Sequence, residues 1–174
     1  MDRTAGQHSF DELWDSAKSN IFRLELLDKY DVEEERYPLQ QFRGGIFLES
    51  EEMKLWRERV AATKKRAVKV QRVHIVNLPL SDYLIFEIEG YKRTQKAGEE
   101  IFLLAQEEVS ISEKISDFWM FDDQAAVELE YSKSGTYIST HGVPSEKISE
   151  LVEVKHKLLQ RAVPLKEFII QNNL

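Results

Sequence analysis

The sequence predicts an α/β or α+β fold: a central mixed sheet of about five strands with a C-terminal hairpin or meander, flanked by N-terminal helices and a long C-terminal helix. Three observations carry this. Apolar residues recur at helical spacing after Ser9, after Ser50 and after Pro144. Between them lie runs rich in β-branched and aromatic residues, "VKVQRVHIV", "EEIFLLA" and "DFWMF". With 174 residues and 42% hydrophobic content, the chain has enough apolar mass for one core and too little for two comfortable ones. It reads as a single domain over 1–174, with a helical N-terminal part, 1–66, and a sheet-containing part, 67–174.

Ser9 followed by Glu12 is a capping box, and Phe10, Leu13, Trp14 and Ala17 then share one helical face, which predicts a helix over about 9–19. "IFRLELL", from Ile21 to Leu27, mixes alternation with an apolar excess and reads as a short strand. "KYDVEEERYPLQQFRGG" is polar, ends in two glycines, and reads as a short helix or an irregular connection. From Ser50, the spacing of Met53, Trp56, Val60, Ala61 and Ala67 is helical. Acids at its start and Lys64, Lys65 and Arg66 at its end complement the helix dipole. Val68, Val70, Val73, Ile75 and Val76 mark the next strand, with a shift in alternation that reads as a bulge.

Ser81 can cap "SDYLIFEIEGY", where Leu84, Ile88 and Tyr91 fit a helical face while Leu84, Phe86 and Ile88 also alternate as a strand would. "EEIFLLA" is a strand. "DFWMF" and "AAVELEY" flank Asp122-Asp123-Gln124 as a hairpin, and Ser134-Gly135 turns the chain into "TYIST", which completes a meander. After Pro144, the stripe Ile148, Leu151, Val152, Leu158, Leu159 and Ala162 predicts the long last helix, ending before Pro164.

Composition excludes several chemistries. The absence of cysteine removes disulfides, thiolate metal sites and cysteine nucleophiles, and fits a reducing cytoplasm. A formal net charge of -7 argues against general binding to nucleic acid or anionic membranes. No stretch approaches the roughly 18 apolar residues of a membrane span, and the N-terminus lacks a secretory pattern, so a soluble cytoplasmic protein is expected. His8, His74, His141 and His156 stand singly without ligand spacing, so no metal site and no cofactor are expected, and the histidines read as solvated or incidental. Neither a Gly-x-Ser-x-Gly elbow nor a phosphate-binding glycine loop is present; "FRGGIF" reads as a turn.

Two clusters stand out. Between Arg57 and Arg72 the chain carries Arg57, Arg59, Lys64, Lys65, Arg66, Lys69 and Arg72 against the single acid Glu58. Of these, Arg57, Lys64, Lys65, Arg66 and Lys69 are candidates for holding phosphate, weighed against a solvated helix end that complements its own dipole. No aromatic residue interleaves the run, so nucleic acid is a partner the sequence allows but does not favour. The second cluster follows the central strand, where α/β folds place ligands: Arg72, Asn77, Ser81, Asp82, Tyr83 and Arg93 are the candidate ligand-binding residues, weighed against a simple capped helix start. Asp122 and Asp123 are adjacent, so on a strand they face opposite sides; they read as a turn rather than a catalytic pair.

"RVHIVNLPLSDYLIFEIE", "AGEEIFLLA", "DFWMFDDQAAVELEY" with "SGTYIST", "RAVPLKEFI" and "FDELWDSAKSNIFRLELLDKY" together resemble the bacterial domain-of-unknown-function family DUF6879, common in actinobacteria beside helix-turn-helix regulators. That resemblance covers most of the chain and implies a helix-turn-helix regulator or another protein as partner. The element order is more distantly similar to one phospholipase-D-like repeat, whose active members carry His-x-Lys-x-x-x-x-Asp on the hairpin. With Asp122 on that Asp, the His and Lys positions fall on Ile115 and Asp117, which implies a degenerate, non-catalytic repeat. The expected function is therefore a non-catalytic cytosolic regulatory or interaction domain binding a small anionic ligand. The alternative is a nuclease-type toxin or phosphodiesterase that uses the 57–72 segment for phosphate.

Overall fold

The computed structural model describes residues 9–109 and 114–174, which leaves His8 outside it. The element order is α1 (Phe10–Ser16), β1 (Asn20–Glu25), α2 (Arg36–Arg43), α3 (Glu51–Lys65), β2 (Lys69–Val76), α4 (Asp82–Ala97), β3 (Glu99–Ala105), β4 (Asp117–Phe121), β5 (Ala125–Tyr131), β6 (Tyr137–Gly142), α5 (Ser145–Arg161), β7 (Val163–Pro164) and α6 (Leu165–Gln171). One mixed sheet runs in the order β6-β5-β4-β1-β2-β3-β7. β1, β2 and β3 are parallel, while β4, β5, β6 and β7 each join antiparallel to a neighbour. The mixed, helix-flanked architecture is the one expected, with seven strands in place of about five. Because β1 lies at the centre of the sheet, the sheet does not begin at residue 67.

Local chemistry explains the helix starts. Ser9, Ser50 and Ser81 each accept a hydrogen bond from the backbone N–H three residues on, and the Ser9 capping box is complete. The stretch after Ser81, which alternates as well as it spirals, is helix α4, because its apolar face packs on β2 and β3. β2 holds an unbroken register on both sides, so the shift in its alternation is not a bulge. It reflects a parallel strand buried on both faces. The C-terminal β7 and α6 were not anticipated: two strand residues carry no period, and α6 lies directly after Pro164.

The sheet separates two unlike layers. On one face Phe22, Leu24, Val73, Ile75, Phe118 and Met120 meet Ile148, Leu151, Val154 and Leu158 of α5 in an apolar core. The other face is apolar towards α1, through Trp14, Ile21, Val70, Trp119 and Phe121. It is apolar again towards α6, through Ile101, Leu103, Leu165 and Phe168. Between these patches the same face carries Arg23, Glu25, Arg72, His74 and Glu99, all buried.

Asp122 and Asp123 both take positive φ, 53° and 58°, at the tip of the β4–β5 hairpin, as a tight primed turn requires. Asp122 does more than turn the chain. Its carboxylate accepts from the backbone N–H groups of Lys18, Ser19 and Asn20 at 2.7–3.0 Å and from the Ser19 hydroxyl at 2.8 Å, pinning the entry to β1. Although partial burial opposes the charge, these donors hold the carboxyl down to about 2. Asp122→Asn keeps only one acceptor oxygen and leaves a backbone donor facing an amide. It is expected to cost about 1–3 kcal/mol in a urea titration, with ligand binding unchanged.

Candidate functional site

Arg23, Glu25 and Arg72 of the polar patch line a cavity of about 400 Å³ and form its floor. β1 supplies Arg23 and Glu25, two charged residues at i and i+2 that therefore face the same side. β2 supplies Arg72, α3 supplies Met53 and Trp56, and α4 supplies Tyr83, Glu87, Gly90, Tyr91 and Thr94. Tyr30, Glu35, Tyr131 and Tyr137 form further wall. Gly90 leaves the α4 wall bare, since a Cβ there would lie 3.4 Å from Met53 Cε.

Arg72 holds the floor together. Its Nε donates to Glu99 Oε1 at 2.8 Å and its Nη1 to Glu25 Oε1 at 2.7 Å. Trp56 Nε1 donates to the other Glu99 oxygen at 3.0 Å, and the Tyr91 hydroxyl to Glu25 Oε2 at 2.7 Å. Burial opposes the Glu25 charge, yet Arg72, His74 and Arg23 hold its carboxyl below the usual carboxylate range. His74 is fully buried rather than solvated. Its Nε2 lies 2.7 Å from the Leu27 carbonyl, which can only accept, so Nε2 carries the proton, and the one Tyr91 hydroxyl proton is shared between Nδ1 at 2.8 Å and Glu25 Oε2 at 2.7 Å.

Arg23 is 3% exposed. Its Nη2 donates to Asp117 at 3.1 Å and to the Tyr131 hydroxyl at 3.2 Å, and the Tyr30 hydroxyl donates to the same Asp117 oxygen. Arg23 Nη1 has no partner, the one such buried side-chain nitrogen or oxygen among the described residues. A buried donor left open costs about 1–3 kcal/mol.

The opposite wall is acidic. Burial pushes Glu35 up to about 7, against the hydrogen bond that the Tyr83 hydroxyl donates to it at 3.0 Å. Burial, with the nearby Glu35 and Glu25 charges, pushes Glu87 well above the carboxylate range. Asp117, which pairs with Arg23 and does not belong to that wall, is pushed up to about 6 by burial, in spite of Arg23 and Tyr30.

These shifts set a pH dependence. Acids whose folded values are raised bind more protons in the native state, so stability falls as pH rises through Glu35, Glu87 and Asp117. Glu35, raised from 4.5 to about 7 by burial, places its share of that loss across the same interval. His74, lowered by burial, works in the opposite sense below its ordinary 6.5, and is outnumbered. Glu25 and Asp122 are lowered, so their contribution is lost in stronger acid. Thermal unfolding should show maximal stability near pH 4–5 and a lower midpoint at pH 7.5.

Of the residues singled out from sequence, Arg72 and Tyr83 line the cavity, while Asn77, Ser81, Asp82 and Arg93 do not. Asn77 donates to the Asp28 carboxylate and Ser81 to the Asp28 carbonyl, which locks the 77–81 loop to the end of β1. Asp82 pairs with Arg43 at 2.5 Å. Arg93 sits over Phe47, bonds Glu89, and shares a shallow second groove with Arg57.

The basic run is dispersed as well. Arg57 pairs with Glu49, Arg59 with Asp11, and Arg66 donates to the Trp14 and Asp15 carbonyls at the end of α1. Lys64, Lys65 and Lys69 are exposed and none lines the cavity. Among the described residues, no group of three or more His, Asp or Glu side chains is placed to hold a metal ion. No helix is long and apolar enough to cross a membrane.

Arg23, Glu25, Tyr30, Glu35, Glu87, Tyr91 and Asp117 were not singled out from sequence. "IFRLE" does contain the signal, two charges on one side of an otherwise apolar strand. A family model described as Domain of unknown function (DUF6879) matches residues 8–170. No curated protein matches the chain.

Proposed function

The chain belongs to the DUF6879 family, and from that premise we propose that it is a non-catalytic ligand-binding domain that holds one small molecule in the cavity over its sheet. The observation that carries this reading is the buried guanidinium of Arg23 in the cavity lining, whose Nη1 has no hydrogen-bond partner although its Nη2 is bonded to Asp117 and Tyr131. A fold selected for stability alone gains nothing from an unpaired buried donor, whereas an acceptor on a bound molecule would pair it. The volume, about 400 Å³, falls at the lower end of the range for small-molecule pockets.

The carboxylates on the opposite wall disfavour the anion anticipated from sequence. A regulatory setting beside a helix-turn-helix partner in a bacterial cytoplasm rests on the family resemblance. In that setting the cavity is the sensing element.

A second reading, an enzyme acting on RNA or nucleotides, is favoured by one observation. Glu35 sits near 7 inside the cavity, where an acid–base group would be poised. Neutralising Lys64, Lys65 and Arg66 separates the two readings: nucleic-acid binding or cleavage collapses under the second and small-molecule binding persists under the first.

A thermal-shift screen of a fragment library at pH 7.5 tests the proposal. A subset of fragments should raise the melting temperature, by the equivalent of about 2.7 kcal/mol at a hundredfold excess over Kd. A library that produces no shift at millimolar concentration would remove the ligand-binding reading.

A further inference from the structure

The partners of each cavity residue show which of its groups remain free to bind. Arg72 is satisfied by Glu25 and Glu99, Glu49 by Arg57, and Asp31 by Arg36. Glu35 accepts one hydrogen bond, from Tyr83. Glu87 and Glu52 have no hydrogen-bond or ion-pair partner among the described residues. The unmatched groups are thus carboxyls on the helical wall and one guanidinium donor on the floor, Arg23 Nη1.

An anion placed here would meet Glu35, Glu52 and Glu87, and the guanidinium opposite them is already shared with Asp117 and Glu25 at 3.1 and 3.5 Å. A cation at the carboxyl wall reverses that balance and lets the half-buried Glu35 and Glu87 ionise. Tyr131 and Tyr137, edge to face at 6.1 Å with Tyr137 half exposed at the rim, add an aromatic surface suited to a cation or a flat ring.

We infer that the ligand is a small organic cation with a hydrogen-bond acceptor at its other end, its ammonium or equivalent group against Glu35 and Glu87 and its acceptor on Arg23 Nη1. This inference rests on the ligand-binding reading above. It adds the charge and polarity of the occupant.

Three matched probes test it by titration calorimetry at pH 7.5: 4-(2-aminoethyl)benzamide, with cation and acceptor; phenethylamine, with the cation alone; and 3-(4-carbamoylphenyl)propionate, with the acceptor and an anion. The expected order is aminoethylbenzamide tightest, phenethylamine weaker by severalfold, and the propionate weaker than the first by at least about tenfold. Glu87→Gln removes a carboxyl that no described residue bonds, so the variant should fold. It should lose at least about fivefold of the aminoethylbenzamide affinity while binding of neutral 4-methylbenzamide stays unchanged. Propionate binding as tight as the amine, or an unaltered amine affinity in Glu87→Gln, would overturn the cationic assignment and leave a small-molecule cavity standing. Absence of binding by all three probes while other fragments bind overturns the assignment as well. Absence of binding by any fragment removes both readings.

Discussion

Arg72→Met is expected to destabilise the protein by about 3–5 kcal/mol, the usual consequence of removing one partner from a buried ionic cluster. Methionine conserves much of the packing, so the loss isolates the charge. Glu25 is 7% and Glu99 1% exposed, and Arg72 is the cation both share. Without it the two carboxyls lie in one low-dielectric site with Trp56 and Tyr91 as hydrogen-bond donors, and Glu25 keeps only the longer 3.5 Å approach of the Arg23 guanidinium. Protonation of one acid is then the cheapest escape, so the loss should be smaller at pH 4.5 than at pH 7.5. A urea titration with an unchanged m-value checks this. Glu99→Gln added to Arg72→Met should recover part of the loss, and a loss below about 1 kcal/mol in the single variant would mean that desolvation of Arg72 already cancels its pairing.

Phe118→Ala is expected to cost about 3–5 kcal/mol through the opposite layer. Phe118 is fully buried on β4, its ring 5.6 Å from that of Phe22, and both lie beneath the α5 stripe of Ile148, Leu151, Val154 and Leu158. Truncation removes the apolar area and leaves a hole that rigid neighbours on two strands and a helix cannot close. The cavity lies on the other face of the sheet, so a folded Phe118→Ala sample should retain its ligand affinity. Loss of stability with affinity intact would separate scaffold from site.

These two positions also mark what the sequence discloses. Phe118 lies in a run of four large apolar residues next to a turn signal, and such local patterns carried the strands, the hairpin and the serine-capped helices. The site is a different matter. Arg72 reads from sequence as part of a basic run, yet Arg57, Arg59 and Arg72 pair with Glu49, Asp11 and Glu99, and Arg66 donates to the Asp15 carbonyl, partners that no local pattern brings together. Asp117 lies 94 residues from Arg23, and the two meet because β4 inserts antiparallel beside β1. The 77–81 loop and the first residues of α4 follow parallel strand β2. Their polar side chains serve Asp28 and Arg43 rather than the cavity, with Tyr83 as the exception. Pairing across a sheet, and not residue type, decides which charges become a site.

The most direct measurement is a proton–nitrogen correlation spectrum of the indole N–H groups during titration with 4-(2-aminoethyl)benzamide. The chain has three tryptophans, of which Trp56 lines the cavity and bonds Glu99, while Trp14 bonds Thr63 and Trp119 packs beneath α1. The Trp56 signal should move most, saturably, with smaller shifts at Trp14 and Trp119, whose rings contact it at 5.2 and 5.5 Å. A Trp56 signal that stays in place while surface resonances at Lys64 and Lys65 respond to single-stranded RNA would contradict the small-molecule account.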